Sequence, residues 1–88
     1  MKIKENFVLR QVADTWVVLP LGAATLNFDG MLTLNQSGVL LWQALERGCT
    51  EAELTEVLLE EYDVSREEAS ADVRQFLDTL IQSGCLDA

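Results

Sequence analysis

Two thiols, fifteen carboxylates and six Lys or Arg side chains are the groups in this chain that could do chemistry, and no histidine accompanies them. Acid–base catalysis near neutral pH leans on imidazole, whose pKa lies there. Without it, a carboxylate or thiol needs a pocket that moves its pKa. The carboxylates mark no such pocket. Glu51, Glu53, Glu56, Glu60 and Glu61 fall on the wet side of one helical pattern. Cys49 and Cys85 are far apart, with no CxxC, whereas a zinc site wants about four soft ligands. Cys49, between Gly48 and Thr50, stands at the expected start of a helix, a position that lowers a thiol pKa. No histidine is present to act as its base. The simpler reading of both cysteines is small apolar residues at helix ends, reduced in the cytosol. The five glycines are scattered and form no phosphate-cradling loop. This inventory predicts a chain that is not an enzyme, needs no cofactor and holds no metal.

Charge narrows the partners. The net charge is −9 and the pI about 4.1. Phosphate backbones and anionic membranes repel such a surface, which predicts neither nucleic acid nor membrane as a partner. The 88 residues predict a single domain over 1–88, with 49% hydrophobic residues for one core. No apolar run approaches the roughly 18 residues of a membrane span. The first five residues, Met1 to Glu5, are charged and carry no apolar signal core, so the expected location is the cytoplasm.

The elements are organised around residues 30–42, GMLTLNQSGVLLW, which read as a strand running straight into a helix. Before it, Phe7–Val12 and Thr15–Pro20 read as two strands joined at Ala13-Asp14 into an antiparallel hairpin. Phe7, Leu9 and Gln11 alternate onto one face, and Pro20 ends the second strand or sits at an edge. Residues 21–29 form a connector, with Asp29-Gly30 as a turn. The third strand covers residues 31–34, with Leu32 and Leu34 on the core face and Met31 and Thr33 opposite. Asn35 is the expected N-cap of a helix over Gln36–Arg47, stopped at Gly48. Val39, Trp42 and Leu45 form its buried stripe, with Leu41 on a flank. Thr50 to Glu53 and Ser65 to Glu68 are two capping-box patterns that open two more helices. Leu54, Val57, Leu58 and Tyr62 stripe the first. Ala69, Val73, Phe76, Leu77 and Leu80 stripe the second, which Gly84 closes. Cys85-Leu86 adds a short terminal strand or tucks into the core. Strands followed by helices predict an α+β fold: a winged-helix-like arrangement in which a three-stranded antiparallel sheet precedes three helices that cover one face.

Binding is what this architecture offers. A small sheet has edges with unpaired N–H and C=O groups. A peptide can add there as a further strand, held by main-chain bonds and selected by side-chain pockets. A covering loop, or a homodimer through the edge strand, would use the same groups.

From about Gly30 onward the chain resembles the PqqD-like family, the peptide-binding domains called RiPP recognition elements. The resemblance rests on Leu34-Asn35-Gln36-Ser37 leading to Leu41-Trp42, then Thr50-Glu51-Ala52-Glu53-Leu54, then Glu60-Glu61-Tyr62-Asp63-Val64. Asp72-Val73-Arg74-Gln75-Phe76-Leu77, Leu80 and the ending Gly84-Cys85-Leu86 complete it. It implies a non-catalytic chaperone that binds the leader segment of a ribosomally made precursor peptide. It also implies presentation of that peptide to a modifying enzyme, often a radical SAM protein. The leader would add to the third strand at Met31, Leu32, Thr33 and Leu34 and lie along the third helix between residues 69 and 79. Asp72 would sit at the groove wall or fix the helix. Ala69, Val73, Phe76 and Thr79 would complete the site, with plain core packing the alternative for Val73 and Phe76. The connector is longer than in members of the cofactor pathway, which points to a stand-alone member of another peptide-modifying cluster. Cys85 stands where the family commonly has leucine.

Two other classes are compatible with the same elements. One is a winged-helix transcription factor or nucleic-acid adaptor, against which the third helix sets Arg66 and Arg74 among Glu67, Glu68, Asp72 and Asp78. The other is a structural docking subunit of an enzyme complex.

Overall fold

The computed structural model describes residues 1–22 and 32–86. Three strands, β1 (Phe7–Val12), β2 (Thr15–Pro20) and β3 (Leu32–Leu34), precede three helices, α1 (Gln36–Arg47), α2 (Glu51–Glu61) and α3 (Arg66–Ser83). The sheet is antiparallel throughout in the order β1-β2-β3, so β3 lies at one edge. This is the expected α+β architecture. The third strand begins at Leu32; Met31, the Asp29-Gly30 turn and most of the connector lie outside the described residues.

The hairpin closes tightly, with Val12 opposite Thr15 and Ala13 in the left-handed region at φ 56°. Phe7 and Val18 enter the core, and Leu9, Leu32 and Leu34 pack against it half-buried. Thr33 on the opposite face is exposed. The helices supply most of the core: Trp42, Leu45, Leu54, Val73 and Leu80 are fully buried, and α2 packs on both α1 and α3. Leu41, expected on a flank of α1, is only 2% exposed and belongs to the core. A helix covered by a sheet on one side and by helices on another buries more than one stripe.

Local chemistry sets the helix starts. Asn35 Oδ1 accepts from the Gly38 N–H at 2.9 Å and from the Ser37 hydroxyl at 3.0 Å. Thr50 and Glu53 form the full reciprocal box, at 2.8 and 3.1 Å. At α3 only half of the expected box forms. Ser65 Oγ accepts from the Glu68 N–H at 3.1 Å, but the Glu68 carboxylate accepts from the Ser65 hydroxyl instead of its backbone N–H. Gly84 ends α3 in the left-handed conformation at φ 83°, which a side chain would disfavour. Beyond it the chain both pairs and tucks in. Leu86 makes an antiparallel bridge to Ile3, and Cys85 and Leu86 are buried.

Candidate functional site

The register fixes which backbone groups β3 leaves open. In an antiparallel ladder, hydrogen-bonded and non-hydrogen-bonded pairs alternate. The Leu21 N–H donates to the Asn6 carbonyl at 2.7 Å, so the bonded pairs of β1 and β2 continue as 8 with 19, 10 with 17 and 12 with 15. The polar groups of Val17 therefore turn to β1, and those of Trp16 and Val18 turn to β3. Across β2 and β3, Trp16 pairs with Leu34 and Val18 with Leu32. Leu32 and Leu34 are thus tied inward, and the N–H and C=O of Thr33 point along the edge that no other described strand pairs with.

Beside that edge runs a groove of about 510 Å³ between β3 and α3. Its α3 wall is Asp72, Gln75, Phe76 and Thr79, which is one stripe at i, i+3, i+4 and i+7. The core stripe of the same helix (Ala69, Val73, Leu77, Leu80) lies about 100° around the axis. Phe76 falls between the two and is half-buried. Leu41 and Leu58, both buried, floor the groove, and Asn35, Ser37 and Gly38 close its α1 end. Gly38 is there for space. A Cβ on it would meet Asn35 Oδ1 at 3.2 Å, Leu34 Cβ at 3.3 Å and Phe76 Cε1 at 3.4 Å. The glycine lets β3, α1 and α3 converge at this point.

Of the residues expected to form a site, the fold gathers Leu32, Thr33, Leu34, Asp72, Phe76 and Thr79 around one groove. It does not bring Ala69 or Val73 there. Both are wholly buried, and packing against the core is their role. Met31 lies outside the described residues. The α1 end (Asn35, Ser37, Gly38), the floor (Leu41, Leu58) and Gln75 were not anticipated. Gln75 could have been read from the 72, 76, 79 stripe. The others join only through tertiary packing.

The groove is mostly neutral. Among the described residues Asp72 is the one charged residue lining it, and no ion pair joins it to a cation there. The two arginines of α3 turn to α2 instead: Arg66 pairs with Glu56 at 2.8 Å and Arg74 with Glu51 at 3.5 Å. Both are exposed pairs, and they leave α3 without the free basic side that a DNA-reading helix uses.

The cysteines lie outside the groove lining. The expectation that a helix start lowers the Cys49 pKa is overturned. Burial and then the Glu53 carboxylate push it up, against weaker opposite effects of the chain's terminal ammonium and Arg47. Burial pushes Cys85 up to about 11, with a small opposing effect of Lys4. Neither is a poised thiolate. Among the described residues no cluster of His, Cys, Asp or Glu could hold a metal ion, and no helix is long and apolar enough to cross a membrane.

Comparison with known proteins gives two findings. The sequence model of the family described as Coenzyme PQQ synthesis protein D (PqqD) matches residues 15–86. The fold is similar to that of TbiB1 in complex with the TbiA(beta) leader peptide, with a TM-score of 0.80 and 28% identity, covering 100% of this chain and 96% of that one. It is also similar to lasso peptide synthetase B1 complexed with the leader peptide, with a TM-score of 0.75 and 24% identity, covering 96% and 93%. No curated protein sequence matches significantly.

Proposed function

This chain belongs to the PqqD family, and from that premise we propose that it binds the leader segment of a ribosomally made precursor peptide in the groove between β3 and α3. The observation that carries this reading is the parity of β3, which turns the Thr33 N–H and C=O outward beside an apolar-floored groove. The leader adds as a fourth strand. Thr33 contributes the main-chain bonds, and side chains on the helix-facing side of the leader enter the groove. A similar fold holds a leader peptide in TbiB1, which supports the same use here. Leu32, Leu34, Phe76 and Thr79 supply side-chain contact, and Asp72 stands in the wall.

The role is non-catalytic and cytoplasmic: the domain holds the leader while a modifying enzyme acts on the rest of the precursor. A radical SAM protein is the enzyme class that the family resemblance favours. A homodimer through β3 would compete with the leader for Thr33, so leader binding would dissolve it.

Amide-resolved NMR titration with leader peptides encoded beside this chain's gene tests the reading, with a scrambled peptide as control. Shifts centred on residues 32–34 and 72–79 are expected. Silence with every leader, together with shifts on adding the neighbouring enzyme, would replace leader capture by a docking role.

A further inference from the structure

We propose that the peptide taken by this groove carries a Lys or Arg seated on Asp72, two residues away from a bulky apolar side chain seated on Phe76. The inference rests on the reading of the groove as a strand-addition site and adds what the strand must look like.

Three observations carry it. The first is spacing. In a strand added to β3, every second side chain faces the helices, and such neighbours are about 6.6–6.8 Å apart. Asp72 and Phe76 are four residues apart on α3, a rise of about 6 Å. With the added strand running along α3 in the groove, two successive groove-facing side chains reach these two residues together. The order depends on strand direction, whereas the i, i+2 spacing does not.

The second is charge. Asp72 is exposed, and its groove neighbours Thr33, Ser37, Gln75 and Thr79 are uncharged. The arginines of the same helix are held by Glu56 and Glu51 of α2. The carboxylate therefore lacks a cation within the described fold. A net charge of −9 draws a cationic segment toward it and repels an acidic one.

The third is the change of surface along the wall. Four residues from Asp72, half-buried Phe76 packs against the core beside Gly38 and Leu34 and gives the groove an apolar surface there. A peptide with a cation at one position and an apolar residue two away satisfies both. One with two apolar residues leaves the carboxylate facing a side chain that cannot answer it.

Selection from a displayed library of short random peptides tests this on the intact chain, with Asp72→Lys and Thr33→Pro variants in parallel. The wild type is expected to enrich Lys or Arg two positions from a bulky apolar residue. Asp72→Lys should exchange that preference for Asp or Glu. A selected peptide, resynthesised, should bind Asp72→Asn about two- to fivefold more weakly, the scale of an exposed ion pair, and lose that difference at high salt. Enriched peptides with an apolar residue but no charge preference beside it would overturn the inference and leave leader capture standing. Peptides that bind Thr33→Pro as tightly as the wild type, or no enrichment at all, would overturn the strand-addition reading and the inference with it.

Discussion

Thr33 is the middle residue of a three-residue strand, and its parity decides what a substitution there does. Its N–H points away from β2, so Thr33→Pro removes a donor that the sheet does not use. Proline is tolerated at such an edge position. The fold should survive, and a leader peptide should lose one main-chain hydrogen bond, about 1 kcal/mol or roughly fivefold in Kd by fluorescence anisotropy. Leu32→Pro is the contrasting case. That N–H faces β2, so the substitution should lower the melting temperature as well. Equal effects of the two prolines on stability would show that the parity inferred for β3 is wrong. Asp72 belongs at this scale too: its charge, not its packing, is what a partner would read, and Asp72→Asn separates the two.

At the scale of elements, α1 and α2 make a controlled pair. Both begin at a side-chain cap, Asn35 and Thr50, but only Asn35 stands at the groove. Removing either cap with alanine should cost about 1 kcal/mol, or about 4–8 °C in melting temperature for a domain this size. Only Asn35→Ala should also weaken peptide binding, because it frees Ser37 and the start of α1 beside Phe76. If Thr50→Ala weakens binding as much, overall stability and not the groove explains the loss. These caps were legible in the sequence because capping is a contact within three or four residues. The hairpin and the α3 stripe were legible for a similar reason, since period and turn chemistry are local. The groove was legible only in part. Ala69 and Val73 follow the same helical period as Asp72 and Phe76, and period alone does not say which stripe faces the core. Gly38 and Leu41 of α1 and Leu58 of α2 line one groove from two elements, and no spacing along the chain announces that meeting. The half-formed box at Ser65 has the same lesson in small: the pattern predicts partners, and the Glu68 carboxylate takes the Ser65 hydroxyl in place of its backbone N–H.

At the scale of the whole molecule, the two ends of the described chain hold each other. The Ile3 N–H donates to the Leu45 carbonyl at 3.3 Å, the Lys4 N–H to the Cys85 carbonyl at 3.0 Å, and Ile3 bridges Leu86. Cys85 is sealed beneath this clasp with no exposure. Its thiol pKa rises from an ordinary 9.0 to about 11, chiefly through burial. The folded state thus binds the thiol proton more tightly than the unfolded chain does. The stability this contributes is fully present below about pH 9, falls as the unfolded thiol ionises, and is gone above about pH 11. Urea unfolding across that interval should show wild-type stability declining more steeply than that of Cys85→Ala, which has no thiol to titrate. Other groups also ionise there, so the difference between the two curves is the quantity to read. Below pH 9 the variant should be the less stable of the two, because it loses the sulfur from a packed site. Parallel curves would mean that the clasp opens by itself and lets Cys85 ionise while the rest stays folded. Hydrogen exchange at Lys4 and Cys85 would then be faster than in the middle of α3, which ties the same question to a second measurement.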